Sequence, residues 1–390
     1  MTITYQRYRP EDFDGLFSGF RQAFNATVAG FRHFQALTGD GNARVMKDGD
    51  VVAGGARFAP QGHWFGGRAV PSIGVPGLVV HPAYRGKGVG QALIRGMLEE
   101  FHADGVGLVS LYPSTTAFYR KQGFRPGGTI HRYSAQIHAM LDRPVEADVT
   151  VWRAPDRAVL EDLHDRYGRR FGAGLIRRSP YLWTRALHPF ERAETDTYLL
   201  NGPDGPEGYI TLLRDKGFES FEVCDYVALT PHAVRQALAM LVGHGATANR
   251  AEWFGGPQDP LVQAMHNNRF DSIHVDQWLM RIVDLGVAIS QRGYQAGVET
   301  AFVLELDDPV LPANRGRFAI RVEGGRGRVD PEPGDAPALR LGIGALAPLY
   351  TGFLTAFELA GLGLAEGPPE ALAAASLAFA GPAPWLTEKF

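Results

Sequence analysis

The sequence predicts an α/β protein with mixed sheets (α+β in its local order), laid out as three successive units. Three observations predict this. Residues 1–147 run strand, glycine-rich turn, helix, strand, short helix. Residues 148–284 repeat that order more loosely, and residues 285–390 turn into strands followed by an Ala/Leu/Gly-rich helical end. At roughly 100–200 residues per domain, 390 residues fit two or three domains.

Composition narrows the function classes. Hydrophobic residues make up 45% and charged residues 21%, so a core can form without disulfides or metals. Net charge is −3 with no long basic stripe, which argues against a nucleic-acid partner. The densest cationic stretch, Arg315, Arg317, Arg321, Arg326 and Arg328, is interleaved with glycine and Glu323 and reads as exposed strand and turn. Cys224 is the sole cysteine, lies in a strand-like run, and reads as a buried structural thiol. There is no apolar leader and no run of about 18 apolar residues, so the expectation is a cytoplasmic protein without a membrane partner.

In chain order, Glu11 to Ala29 reads as helix, with Phe13, Leu16, Phe17, Phe20 and Phe24 at helical spacing. Arg44–Lys47 and Val51–Phe58 form a hairpin closed by Asp48-Gly49-Asp50. Val70–Val80 is a strand. Val89, Leu93, Met97 and Phe101 mark one face of the helix that follows the glycine turn. Gly105–Leu111 is a strand, and Thr115–Lys121 a short helix ended by Gly123. Pro144–Asp148 reads as a boundary. In the second unit, Tyr198–Leu200 pairs with Glu207–Leu213, Phe221–Leu229 is a strand and Pro231–Gly243 a helix. Ala301–Leu306 and Phe318–Glu323 are strands of the third unit, and Leu346–Leu362 and Pro369–Leu377 its helices. The chain closes on Pro384-Trp385-Leu386-Thr387-Glu388-Lys389-Phe390, unusually apolar for a frayed tail.

The strongest chemical signal is Val79-Val80-His81-Pro82-Ala83-Tyr84-Arg85-Gly86-Lys87-Gly88-Val89-Gly90-Gln91. A strand feeds a glycine-rich, cationic turn that opens a helix. Backbone N–H groups there suit a phosphate, and glycine permits the turn while keeping Cβ atoms out of the way. The spacing Gly-x-Gly-x-Gly fits a Rossmann turn poorly, and no Lys-Ser or Lys-Thr follows for a Walker loop. In the second unit the matching place is Leu229-Thr230-Pro231-His232-Ala233-Val234, without glycine.

The turn resembles the acetyl-CoA motif of GNAT N-acetyltransferases (Arg/Gln-x-x-Gly-x-Gly/Ala). The resemblance implies that the amides of Arg85, Gly86, Lys87, Gly88, Val89, Gly90 and Gln91 hold the pyrophosphate of acetyl-CoA. It also implies that Leu78, Val79 and Val80 line the pantetheine and acetyl group. Ser114-Thr115-Thr116-Ala117-Phe118-Tyr119-Arg120-Lys121-Gln122-Gly123-Phe124 resembles the family's Phe-Tyr-x-x-x-Gly-Phe element, which places Tyr119 near the coenzyme sulfur and Ser114 and Thr115 at the coenzyme. Over the whole chain the sequence resembles the enhanced intracellular survival (Eis) family. That resemblance implies two tandem GNAT-like units (1–147 and a degenerate 148–284) followed by a sterol-carrier-protein-like domain (285–390). It also implies Tyr119 as general acid, the terminal carboxylate of Phe390 as general base, a hexamer, no metal, and a polyamine-type or aminoglycoside substrate.

An α-carboxylate, with an ordinary pKa of about 3.3–3.7, stays ionised at neutral pH and can orient an ammonium and take its proton. Amides at the end of the Leu78–Val80 strand would steady the oxyanion. His81 reads as a strand-end residue, and His33, Trp64 and Phe24 as core or rim. Glu388, Glu11 and Asp12 are acids available to an amine pocket, while Asp14 reads as solvated. The rival readings are a GNAT enzyme acting on protein lysine or another small amine, and a non-catalytic protein binding acetyl-CoA or lipid.

Overall fold

The structure is a computed structural model. It describes residues 2–388 except 144, 154, 190–193, 218 and 331–336, and not the side chains of 215 and 216. Phe390, expected as the base, and Pro144 of the expected boundary lie outside the described residues.

The first unit opens with β1 (Ile3–Arg7), α1 (Phe13–Phe24) and α2 (Val28–Thr38). The single helix expected over Glu11–Ala29 is thus cut at Asn25, which sits in the left-handed region (φ 52°), and Thr27 caps a new helix by accepting from the Gly30 N–H. Next come β2 (Ala43–Asp48), β3 (Val51–Phe65), β4 (Arg68–Val80), α3 (Val89–Ala103), β5 (Leu108–Leu111), α4 (Thr116–Arg120) and β6 (Arg125–Gln136). β5 starts three residues later than the expected Gly105.

The second unit has β7 (Val149–Val151), α5 (Ala158–Phe171), β8 (Ala173–Arg177), α6 (Pro180–Leu187), β9 (Thr195–Gly202), β10 (Gly205–Lys216), β11 (Ser220–Ala228), α7 (Pro231–Gly243), β12 (Arg250–Gly255), α8 (Pro260–Ala264) and β13 (Phe270–Ile282). The third has α9 (Leu285–Gln291), β14 (Thr300–Asp307), β15 (Gly316–Glu323), β16 (Arg326–Asp330), β17 (Ala338–Gly342), α10 (Ile343–Thr351), α11 (Ala356–Gly361), β18 (Ala365–Glu366) and α12 (Pro369–Ala378). The helix expected over Leu346–Leu362 is two helices. α10 stops at Gly352 in the left-handed region (φ 78°), and Thr355 with Glu358 forms a capping box that starts α11.

The strands of the first two units join in one sheet, ordered β1-β2-β3-β4-β5-β13-β6-β12-β11-β10-β9-β7, with β8 paired to β3. The two units therefore exchange strands. β13, from the end of the second unit, lies antiparallel between β5 and β6, while β6 runs on to pair with β12. The third unit has its own five-stranded sheet, β16-β15-β14-β17-β18. Its cationic stretch is exposed as expected, with Arg315 on Asp307, Arg317 on Glu305, Arg321 on Asp330 and Arg328 on Glu323. Among the described residues, no helix is long and apolar enough to cross a membrane.

Each of the first two units builds a parallel strand pair that opens into a fork. β4 pairs with β3 along its length but with β5 only from Ser72 to Gly74. β11 likewise pairs with β12 only from Ser220 to Val223 and runs on to Ala228. A helix starts just beyond the free arm of each fork, α3 in one and α7 in the other.

Candidate acetyl-transfer site

The first fork begins at a bulge. Arg57 faces Gly77 and Ala59 faces Gly74, so Val75 and Pro76 add a residue to β4 at the point where β5 leaves it. A bulge bends a strand and turns it from its neighbour. Beyond it, no described strand pairs with β4 on its β5 side, and Leu78, Val79 and Val80 occupy that free arm. Val79 is buried against α1, where its methyl lies 2.9 Å from where a Cβ on Gly19 would stand.

In the turn after β4 the Arg85 N–H, expected to be open, donates to the Pro82 carbonyl (3.2 Å), whereas the described amides of residues 86–91 have no acceptor within the chain. A short 3-10 turn, Pro82–Tyr84, leads into Arg85, whose Nε donates to the Val80 carbonyl (3.2 Å). Gly86 (φ 74°) and Gly88 (φ 80°) are left-handed, and an added Cβ on either would meet only open space. The constraint at these two positions is thus conformational rather than steric. Gly90 differs: a Cβ there would stand 2.9 Å from the Phe118 ring, so its absence lets α4 pack on the first turn of α3. The turn and the Phe118-Tyr119 element, about 30 residues apart, are therefore in contact. No described side chain caps α3, and the Ala92 N–H closes its first backbone bond on the Gly88 carbonyl. The amides of Val89, Gly90 and Gln91 precede that bond and have no partner within the helix. Lys87 lies over the Tyr84 ring at 5.6 Å. Such a helix start attracts a phosphate through its N–H groups and its dipole.

Across the fork, Ser114 and Thr115 are exposed between β5 and α4. Tyr119 is buried (8% exposed) against Phe118 and Phe124, and burial pushes its phenol up to about 12. It is therefore protonated at neutral pH. The turn after it is held by a residue that sequence reading missed. Arg281, fully buried on β13, donates from Nε to the Gln122 carbonyl (3.0 Å) and from Nη2 to both oxygens of Asp308 (2.7 Å each). Despite its burial, Asp308 is held below the usual carboxylate range by that guanidinium and by Asn314. The local sequence around Tyr119 carries no signal for Arg281, which arrives through the strand exchange.

The apex of the fork holds a second unpredicted cluster. His63 on β3 is fully buried, stacked on Trp278, with Nδ1 2.7 Å from the Gly174 carbonyl and Nε2 2.8 Å from Ser110 Oγ. A carbonyl only accepts, so Nδ1 carries the proton and Nε2 accepts from Ser110. Burial lowers this imidazole to about 4.

The final residues run inward. Thr129 on β6 donates to the Pro384 carbonyl, Leu386 donates back to the Thr129 carbonyl, and Trp385 donates to Ala173. Leu386 is fully buried. Arg178 bonds Glu388 (2.6 Å) and both oxygens of Asp225, the latter also accepting from Tyr209. Arg178 and Glu388 line a cavity of about 340 Å³ with Arg185, Glu222 and Cys224. Cys224 is half-buried there, not the sealed thiol expected, because it faces this opening. A second cavity of about 310 Å³ shares Arg185 and is walled by Phe20, Phe24, Phe31, Phe34 and Tyr181. Trp64 and Asp12 are buried, Asp12 paired with Lys47 (2.9 Å), while His33 and Asp14 are exposed. His81 packs on Tyr84 at the strand end, as expected.

This fork has an uncapped helix start of the kind that suits an anionic phosphate group, and comparisons with known proteins bear on the domains that carry it. The acetyltransferase (GNAT) domain matches residues 4–127 and again, as a second GNAT description, residues 174–282; the sterol carrier protein domain matches 285–387. An uncharacterised N-acetyltransferase of Streptomyces avermitilis is 27% identical, covering all of both chains. Another from Streptomyces coelicolor is 27% identical over 83% of this chain and 82% of its own. Among solved structures, the GCN5-related N-acetyltransferase of Anabaena variabilis superposes with TM-score 0.94 at 26% identity over both whole chains. That of Kribbella flavida gives 0.89 at 28% identity, covering this chain fully and 98% of its own. Eis1 of Mycobacterium abscessus gives 0.82 over both whole chains, and at 22% identity that likeness is one of fold. The chain is an N-acetyltransferase of the GNAT class. More particularly, it carries two GNAT domains with a sterol carrier protein domain behind them.

Proposed function

We propose that this chain moves an acetyl group from acetyl-CoA to an amine of a polyamine-type or aminoglycoside substrate, at the first fork. The observation that carries this reading is the uncapped start of α3 beside the free arm of β4. The pyrophosphate would rest on the amides of residues 86–91, with the side chains of Arg85 and Lys87 adding charge. The thioester would lie along Leu78, Val79 and Val80, with Ser114 and Thr115 across the fork. Acetyl-CoA supplies an activated acyl carbon and a thiol leaving group of pKa about 8.5.

The residues of the chain then have limited tasks. Amides on the free edge of β4 would donate to the oxygen that gains charge as the amine attacks. Tyr119 at about 12 is a weaker acid than the departing thiol, so it serves best as a hydrogen-bond donor that lowers the charge on sulfur. The Phe390 carboxylate is our candidate for receiving the ammonium proton. The inward course of Pro384–Leu386 supports that role.

A smaller, less cationic amine is a second reading. The phenylalanine-walled cavity favours it, as does the pairing of Glu388 with Arg178, which leaves that acid poorly placed to attract a polycation. A hexamer belongs to the Eis-like reading and is proposed with it. The deciding experiment adds residues after Phe390 and follows acetyl-CoA consumption across aminoglycosides, polyamines and apolar monoamines. Activity should collapse while coenzyme binding persists. Undiminished turnover of the extended chain would remove Phe390 from the mechanism, and turnover of monoamines alone would select the second reading.

A further inference from the structure

Three of the buried arginine side chains among the described residues are matched with acids. Arg281 lies on Asp308, Arg178 on Asp225 and Glu388, and Arg44 on Glu100. Arg57 lacks a carboxylate, but Thr38 Oγ1 and the carbonyls of Gln35 and Gly39 accept from it.

Arg292, just after α9, resembles Arg57 in lacking a carboxylate and lying among aromatic faces, but Arg57 Nη1 is sealed without a partner whereas Arg292 borders a cavity. Arg292 is 4% exposed, and the faces of Phe65, Tyr294, Tyr350 and Phe379 lie 5.1–5.4 Å from its guanidinium. Nε donates to the Tyr350 carbonyl and Nη1 to the Gly293 carbonyl. Among the described residues nothing accepts from Nη2 and no carboxylate pairs with the charge. Nη2 is not among the sealed, partnerless buried atoms either. Arg292 lines a cavity of about 340 Å³ whose wall also includes Arg169 and Arg170 and no acidic residue. Glycines 66, 67, 172 and 381 keep that wall low. The wall of this opening thus carries three arginines and no acid, the Arg169 guanidinium lying over Trp64 and that of Arg170 over Phe171 with Nη1 donating to the Leu229 carbonyl (3.4 Å).

A guanidinium keeps its proton in proteins, so Arg292 cannot escape the cost of burial by neutralising. Ring faces and two carbonyls meet part of that cost. A buried charge ordinarily also needs an opposite charge and a partner for each donor. We propose that this cavity is an oxyanion site, holding a phosphate or carboxylate group on Arg292 with Arg169 and Arg170 at the mouth. The planar fork of arginine suits either group. Its wall comes from all three units: the β3–β4 hairpin end, the end of α5, and the segments around 292–296 and 380–382. An anion bound there ties the units together, at a place remote in sequence from the coenzyme turn.

The test uses the full chain, titrated calorimetrically with inorganic phosphate and separately with acetate, at constant ionic strength with chloride as the control. Thermal melts run in parallel. We expect saturable binding that does not depend on the coenzyme turn, and a rise of a few degrees in Tm at about a hundred times the Kd. Phosphate and acetate arms show which oxyanion geometry the site takes, and binding of either supports it. Arg292→Lys keeps the charge but loses the fork and should weaken binding at least about tenfold. Should that variant not fold, the exposed pair Arg169→Ala/Arg170→Ala should weaken binding severalfold in a folded protein. Phosphate binding must persist in Gly88→Asp, which blocks the coenzyme turn. No saturable binding of either anion would overturn the proposal. So would binding indifferent to both sets of arginine substitutions, or phosphate binding lost in Gly88→Asp.

Discussion

The starts of α3 and α7 occupy matching places in the two GNAT units, and they are finished in opposite ways. Each helix begins beyond the free arm of a forked parallel strand pair. At α7, Thr230 caps the helix by accepting from the Ala233 N–H (3.0 Å), Pro231 removes another donor, and Glu207 accepts from the Thr230 hydroxyl. At α3 two left-handed glycines stand in place of a cap and the amides stay open. The α7 start has thus been satisfied from within by a hydroxyl and a carboxylate. The lesson is that a helix start binds an external anion to the extent that the chain declines to supply its own acceptor.

The sharpest way to break the contrast is to make α3 resemble α7. Gly88→Asp puts a carboxylate at the helix start and a side chain at φ 80°. Loss of two or so charge-assisted hydrogen bonds predicts roughly a hundredfold or greater rise in the acetyl-CoA Kd by calorimetry. A substitution without effect on Kd would show that the coenzyme lies elsewhere.

A smaller effect separates chemistry from binding at the same fork. Tyr119→Phe should lower kcat by about tenfold or more while leaving the acetyl-CoA Kd within about twofold. A change in Kd alone would make Tyr119 a packing residue.

The units also share a weakness. Each buries an imidazole, His63 at about 4 and His164 at about 3, chiefly through burial. The folded values lie below the ordinary 6.5, so the unfolded chain binds more protons between them. Stability contributed by neutral His63 is complete above about pH 6.5 and is lost as pH falls through about 4, roughly 3 kcal/mol in all. Urea melts from pH 7 to 4 should show this slope, and His63→Gln should flatten it. An unchanged slope would mean other groups govern acid unfolding.

The smallest effect completes the comparison. Thr230→Ala should cost about 1 kcal/mol in urea unfolding, with acetyl-CoA turnover untouched. A loss of turnover would show that the second fork serves catalysis after all.

Much of this was legible in the sequence, and the rest was hidden for identifiable reasons. Hairpins with strong turn signals, such as Asp48-Gly49-Asp50, and the helices α3 and α7 lie where periodicity predicts them, because their order is local. The glycine turn before α3 was legible because left-handed glycines leave a mark on sequence. Asn25 broke a helix that continuous apolar spacing had joined, since one left-handed residue is a weak signal outside glycine. Gly90 was read as clearing space for a ligand, whereas it also admits Phe118, a neighbour remote in sequence. Arg281 and His63 could not be found at all. Their partners, Gln122 and Asp308, Ser110 and Gly174, are set by which strands lie side by side.

That exchange of β6 and β13 has a consequence for how the protein is made. The first unit cannot close its sheet until residues 270–282 have left the ribosome, although β5 is finished by residue 111. At roughly 5–20 residues per second, the edge of β5 waits on the order of ten seconds for its neighbour. An unpaired edge is an invitation to pair with another chain. Synthesis therefore passes through an interval in which the amino-terminal unit is exposed to mispairing, and translation rate between residues 136 and 270 becomes a determinant of yield.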